Sequence, residues 1–279
     1  MAYLPVTSVA PFGFDVDALS SLGEELSEAH QSADPFPHTV IDDFVSPEFV
    51  RFCLEHFPQE LGEGGVSFDR SQERFKQSYQ PDELGPELRS LFYALNSLPF
   101  IRLVERITGI KGLIPDPYFV GGGFHETRNG GHLSMHADFN HHKLMNLERR
   151  VNVLIYLNEN WAAEHGGQLE LWDQDMKTCV QSVVPIAGRC VMFNTTGESW
   201  HGHPQPVQHP DGQPRRSIAL YYYTATWDEM RSGKTTQFKR RPGTGDKTDW
   251  KVKTTETLQE FIPPILMRPT AKVIRRIFS

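Results

Sequence analysis

Apolar residues recur along this chain with two different periods, and the change falls close to Ile114. Before it the spacing is helical. Residues 16–30 predict a short amphipathic helix, and Ser46-Pro47 opens a second one, with a serine N-cap and proline at the first helical position. Phe49, Phe52, Cys53 and Phe57 follow on one face as core packing rather than a cofactor box. Residues 86–96 carry Leu88, Leu91, Phe92 and Leu95 on one side, and residues 100–108 carry Leu103, Val104 and Ile107 and stop at Gly109. A strand is expected at 38–45. The polar stretch 62–82 reads as a solvated linker, with a substrate-facing loop as the alternative.

After Ile114 the pattern turns to short β-type runs separated by Gly, Pro and Asn: 118–120, 133–137, 151–157, 168–172, 181–185, 189–193 and 217–224. Many short strands at close spacing predict a sandwich or barrel. Helices followed by strands make the chain α+β, with the helices packed on the outside of the sheet.

Composition narrows the function classes. The 279 residues suffice for one large domain with a C-terminal appendage. A net charge of -7 argues against a dedicated nucleic-acid binder. Cys53, Cys179 and Cys190 lack CxxC spacing, so neither a disulfide framework nor a zinc-thiolate site is expected. The amino-terminal residues lack a basic stretch followed by an apolar one, and no run approaches the about 18 apolar residues of a membrane span. The expectation is a cytoplasmic protein. Charge is uneven, because residues 231–279 hold 12 Lys or Arg against 4 Asp or Glu. Ile265, Leu266, Val273, Ile274, Ile277 and Phe278 with Arg268, Lys272, Arg275 and Arg276 fit a basic amphipathic helix for an anionic membrane surface or partner. The plainer alternative docks that helix on the protein's own acidic body.

The candidate chemistry centres on His136-Ala137-Asp138. In a strand, residues i and i+2 share a face, so this imidazole and carboxylate can reach one point. A second imidazole from His201 would complete a 2-His-1-carboxylate set, which suits non-heme Fe(II) because it leaves coordination positions open. Spacing alone leaves His203, two residues on, equally available. A bare His-x-Asp is weak evidence in a chain with 12 His and 35 acidic residues.

The company of that motif is more specific. Glycines at 121–123, 130 and 131 precede it; RRVNVLIYLN at 149–158, Trp161, GGQLELW at 166–172, Trp200-His201 and RRSIALYYYT at 215–224 follow. In that order the set resembles the prolyl 4-hydroxylase-like branch of the Fe(II)/2-oxoglutarate-dependent dioxygenases over about residues 115–227, with 36–114 resembling its helical support. The resemblance implies a double-stranded β-helix, a distorted jelly roll, as the core of the α+β fold. It implies an N-terminal extension at 1–35, a dioxygenase domain at 36–228 (support 36–114, core 115–228) and a basic extension at 229–279. It selects His136, Asp138 and His201 as metal ligands and catalytic centre. Arg215, fourteen residues beyond His201, is chosen over Arg216 for the distal carboxylate of 2-oxoglutarate, since Arg215-x-Ser217 puts both groups inward. Tyr156 and Asn152 join them as cosubstrate contacts; for Asn152 the alternatives are a supporting contact behind the site and a polar residue simply satisfied by backbone groups. Arg128, His141, His142 and Trp200 are the substrate contacts expected at the mouth. Fe(II), 2-oxoglutarate and O2 would be the cofactors, with ascorbate as a candidate reductant.

The implied reaction hydroxylates an unactivated C–H, on a prolyl residue or proline-like substrate, with succinate and CO2 as co-products. Alternatives are a hydroxylase of another amino acid, natural product or sugar, a Zn or Mn enzyme on the same barrel, and a non-catalytic metal- or metabolite-sensing jelly roll. The partner is then a protein, peptide or small-molecule substrate.

Overall fold

A computed structural model describes residues 3–9, 12–225 and 236–246. The helical half forms as its capping residues dictate. After the hairpin β1 (Val6–Val9) and β2 (Phe12–Phe14), α1 (Val16–Gln31) starts at Asp15, whose carboxylate accepts the N–H groups of Asp17 and Ala18. Strand β3 (His38–Ile41) leads to α2 (Pro47–Glu55), where Ser46 Oγ accepts the Phe49 N–H. A hairpin of β4 (Val66–Arg70) and β5 (Glu73–Tyr79) precedes α3 (Pro86–Leu95) and α4 (Leu98–Thr108), which ends on left-handed Gly109. Gly23 of α1 lets α4 approach closely, since a Cβ there would stand 2.8 Å from Arg106 Cβ.

The β half comprises β6 (Ile114–Pro115), β7 (Gly123–Ala137), β8 (His141–His142), β9 (Leu147–Tyr156), β10 (Leu169–Trp172), β11 (Cys179–Val183), β12 (Cys190–Asn194), β13 (His201–His203), β14 (Arg215–Ala225) and β15 (Gln237–Phe238). All lie in one antiparallel sheet that runs β11-β10-β13-β7-β14-β9-β12-β3 and curls on itself, with β5 and β15 also paired to β7. This is the nearly closed jelly-roll core of a double-stranded β-helix, flanked by the helices.

Alternation along β9 and β14 separates two interiors. Val151, Val153, Ile155, Ile218, Leu220 and Tyr222 face outward into one apolar cluster with Leu88, Leu91, Phe92, Phe100 and Leu103 of the helices. Each such side chain removed from water contributes about 1.5–3 kcal/mol. The buried Tyr222 hydroxyl donates to Leu95 O at 2.8 Å. Asn152, Leu154 and Ser217, of opposite parity, face a cavity inside the roll.

Two expectations need correcting. Residues 118–120 are a turn rather than a strand: the Asp116 carboxylate accepts the N–H groups of Tyr118 and Val120 at 2.8 Å each, and Phe119 adopts φ 47°. The stretch 62–82 is not a solvated linker, because residues 66–79 form the β4–β5 hairpin on β7, and Phe68, Glu73 and Lys76 line the cavity. With a polar cavity on one face and solvent on the other, its strands need no apolar alternation. The amphipathic segment expected at 265–278 lies outside the described residues. Among the described residues no helix is long and apolar enough to cross a membrane, and Cys53, Cys179 and Cys190 are unpaired.

Candidate metal centre and cosubstrate pocket

Strand pairing brings His136 and His201 side by side, as direct partners between β7 and β13. Their ring centroids are 4.4 Å apart. Asp138, just past the end of β7, completes a cluster in which one potential ligand atom from each residue lies within 4.8 Å of the others. Asp138 Oδ1 is 3.6 Å from His136 Nε2, and Oδ2 is 3.4 Å from His201 Nε2.

The tautomers are set by the backbone. His136 Nδ1 lies 2.9 Å from Ser134 O, and His201 Nδ1 lies 2.8 Å from Ser199 O. A carbonyl accepts only, so each Nδ1 carries the proton and each Nε2 turns a lone pair toward the common point, the arrangement metal-binding histidines require. Burial, then the neighbouring His201, pushes the His136 pKa down, which favours the neutral ring. Phe193 packs edge-on against His201 at 4.6 Å.

The carboxylate is braced from behind. Asn152 Nδ2 donates to Asp138 Oδ2 at 2.7 Å, and Arg149 Nε donates to Asn152 Oδ1 at 2.9 Å. Arg149 Nη2 stands 3.0 Å from the same Asp138 oxygen. Burial alone would raise the Asp138 pKa, but Arg149 and the two histidines hold it well below the usual carboxylate range. Asn152 therefore takes the bracing role, with both ends of its amide engaged. Arg149 escapes sequence reading for a physical reason. By simple alternation from Asn152 it would face outward, but β9 carries an extra residue opposite the Tyr222–Tyr223 step, and this bulge reverses the phase.

Deeper in the roll, Arg215 and Ser217 of β14 lie in register with Thr127 and His125 of β7, and these with Lys76 and Ser78 of β5. Arg215 is 5 % exposed; its Nε donates to Gly167 O at 2.7 Å and its Nη2 to the Tyr156 hydroxyl at 3.3 Å. Burial raises the Tyr156 pKa, so the phenol keeps its proton and can donate. Lys76 Nζ pairs with Glu73 Oε1 at 2.8 Å, and Arg70 Nη2 with Glu73 Oε2 at 2.9 Å. Burial opposes the Glu73 charge, but these two cations hold its pKa below the ordinary value. His125 and His203 also line the cavity, both driven neutral by burial and nearby cations. The His136, Asp138 and His201 side chains and Arg215 share one cavity of about 240 Å3, a geometry that suits a small dianion anchored at one end and chelating at the other. A hard anionic donor with two imidazoles fits ferrous iron.

The structure does not bring the four expected substrate contacts to this cavity. Arg128 lies on the outer face of β7, paired with Glu126 and Gln77. His141 bonds Asn146, while buried His142 sits 3.3 Å from Asp116 beneath Tyr223. Trp200 packs among Met135, Ala137 and Met176, with Lys239 over its ring. Besides Arg149, Glu73 and His125, residues not foreseen as site components include Tyr221, whose ring lies 3.4 Å from the Arg149 guanidinium carbon, and Phe238, whose ring lies 5.6 Å from that of His136.

Residues 122–248 match the sequence profile of the 2OG-Fe(II) oxygenase superfamily. A curated relative, prolyl 3,4-dihydroxylase OGFOD1 of Ostreococcus tauri, is 27% identical over 187 residues, covering 60% of this chain and 34% of its own. The chain thus spans about a third of the length of the curated relatives it matches. In fold it is similar to a Pseudomonas putida prolyl-4-hydroxylase (TM-score 0.51, 21% identity, covering 74% of this chain and 98% of that one). It is also similar to a Trichoplax adhaerens prolyl hydroxylase solved with a hypoxia inducible factor peptide fragment (TM-score 0.50, 19% identity, covering 75% and 91%).

Proposed function

From the match of residues 122–248 to the 2OG-Fe(II) oxygenase superfamily, we propose that this chain is an Fe(II)- and 2-oxoglutarate-dependent dioxygenase that hydroxylates a prolyl residue in a peptide. The observation that carries the reading is the convergence of His136, Asp138 and His201 on one point, in the same cavity as Arg215. Neither feature alone is specific. Together they supply three protein ligands for iron and a buried cation for the far end of a keto-diacid.

In this reading His136 Nε2, His201 Nε2 and one Asp138 oxygen hold the iron, which with 2-oxoglutarate and O2 supplies the oxidising power for C–H hydroxylation. Arg215 binds the distal carboxylate through charge-assisted hydrogen bonds, with the Tyr156 hydroxyl as a further donor and Ser217 beside them. Asn152 and Arg149 occupy Asp138 Oδ2, which leaves Oδ1 for the metal. The walls of the roll bury the His136, Asp138 and His201 side chains almost completely, which would limit the access of water to the reacting centre. The prolyl assignment is supported by the prolyl hydroxylase activity for which the relatives are named, and the three unpaired cysteines support a reducing compartment such as the cytoplasm.

The test is oxidation of 2-oxoglutarate to succinate by iron-loaded protein with a library of proline-containing peptides, read by mass spectrometry. Gain of one oxygen on a prolyl residue, in proportion to succinate, is expected. Turnover confined to non-peptide substrates would overturn the prolyl assignment, and no turnover of 2-oxoglutarate with any substrate would overturn the dioxygenase.

A further inference from the structure

Strand β7 has two edges, and the pairing shows what covers each. Thr127 pairs with both β14 and β5, Leu133 with both β13 and β5, and His136 with both β13 and β15, so β5 and β15 lie end to end along the same edge. The hairpin covers that edge as far as Glu73↔Leu133. Beyond it Gln72 O accepts the Ser134 N–H, and Gln237 and Phe238 continue opposite Ala137 and His136. Without β15, the part of β7 that carries His136 would present an uncovered edge.

Residues 236–246 are anchored by the β15 pairing and, after it, by two cations. The Lys239 N–H donates to Met135 O at 3.1 Å, while its Nζ donates to Gln174 O at 3.1 Å and lies 5.0 Å from the Trp200 ring centroid. Arg241 holds Asp246 through two parallel hydrogen bonds of 3.1 Å, stands 3.7 Å from Glu170 Oε2, and lies over Trp172. Just ahead of these anchors in the chain, Thr236 and Phe238 line the cavity, and the Phe238 ring rests against His136. Trp200, expected to meet substrate, is instead part of the platform under this segment.

We infer that residues 236–246 are a fixed wall of the catalytic chamber, and that Phe238 is a specificity-determining residue that limits the bulk a substrate can carry around the C–H it brings to the metal. The functional unit then runs through Asp246 rather than closing at 228. The inference rests on the oxygenase reading of the cavity. Its physical basis is steric: the ring stands beside a metal ligand and is held by a strand pair and two anchored cations, so the space beside His136 is closed on that side. On that side a substrate reaches the metal only with a slender group.

Two measurements test it with Phe238→Ala, Phe238→Trp and Arg241→Ala. In metal-free protein, carbethoxylation of His136 by diethylpyrocarbonate, followed by mass spectrometry, should accelerate severalfold in Phe238→Ala and Arg241→Ala and return to the wild-type rate in Phe238→Trp. Buried His30, which does not line the cavity, should stay protected and so report that the fold is intact. In iron-loaded protein, Phe238→Ala should raise the ratio of succinate formed to substrate hydroxylated severalfold and admit bulkier substrates. Unchanged His136 labelling with His30 still protected would overturn the wall, and an unchanged ratio and substrate range would overturn the role of Phe238. A wild-type protein that binds neither Fe(II) nor 2-oxoglutarate would sink the oxygenase reading while the labelling result still judged the wall.

Discussion

Arg149 Nη2 lies 3.0 Å from Asp138 Oδ2, and its guanidinium is enclosed by the rings of Tyr221 and Phe139, 3.4 Å and 4.7 Å from the guanidinium carbon. A cation and a carboxylate, both removed from water, hold each other's charge before any metal arrives. Arg149→Ala leaves Asp138 as an uncompensated buried anion, a change that costs about 3–5 kcal/mol when one partner of such a pair is lost. Since Fe(II) would restore a positive partner, the expected outcome is a large fall in the Tm of metal-free protein and a larger gain in Tm on metal addition than wild type shows. Thermal melts with and without Fe(II) under argon check this. Equal metal-induced gains would mean that Arg149 does not act through Asp138.

Arg215 and Arg216 make a paired control, because adjacent strand residues face opposite ways. Arg216 points outward, 3.0 Å from Glu126 and over the Phe57 ring. Arg215→Ala should spare iron binding and raise the apparent KM for 2-oxoglutarate by about two to three orders of magnitude, the equivalent of a lost buried charge pair. Arg216→Ala should leave that KM near wild type. Initial-rate kinetics of both variants decide it, and the reverse result would put the wrong arginine in the pocket.

Gly167 has φ +70°, and a Cβ there would stand 2.8 Å from Arg215 Cδ, while its carbonyl receives the Arg215 Nε–H. Gly167→Ala therefore strains the backbone by about 1–3 kcal/mol and displaces the guanidinium. The expected effect is a higher KM for 2-oxoglutarate with iron affinity retained, measured by parallel titrations. An unaltered KM would mean the arginine tolerates the shift.

His30 gives a pH prediction outside the cavity. It is buried between Thr39 Oγ1 at 3.0 Å and Asn194 Oδ1 at 3.2 Å, and burial lowers its pKa from 6.5 to about 4, against a smaller raising effect of Asn194. The unfolded chain takes up this proton near pH 6.5 and the folded one only near pH 4. Stability should therefore fall as pH drops across that window, by about 3 kcal/mol from this residue. Urea unfolding at pH 7 and pH 4.5 should show a smaller loss for His30→Gln than for wild type. Parallel losses would remove His30 as the cause.

What could be read in the residues, and what could not, divides along physical lines. The helix starts at Ser46-Pro47 and the stop at Gly109 depend on contacts within a few residues, and the alternation of β9 places Asn152 and Leu154 inside and Val151, Val153 and Ile155 outside. His136 and Asp138 share a short stretch of chain, so their convergence was legible, while the choice of His201 over His203 needed the family resemblance. Arg149 was hidden by a bulge, the hairpin at 66–79 by its two polar faces, and Phe238 by distance: it is a lone aromatic 102 residues beyond His136 that only a strand pairing joins to it. Of the residues expected at the mouth, His142 meets Asp116 from a distant turn that sequence does not announce, whereas His141–Asn146 and Arg128–Glu126 are pairs between near neighbours in the chain.

The central claim is that His136, Asp138 and His201 bind one ferrous ion beside a 2-oxoglutarate held by Arg215. Anaerobic titration with Fe(II) and 2-oxoglutarate, followed by admission of air, tests it most directly. The account predicts one iron per chain, a visible charge-transfer absorption that needs both components, and succinate on aeration, with absorption and succinate absent in His136→Ala. Iron-dependent succinate from wild type and His136→Ala alike, or no binding of either component by wild type, would contradict it.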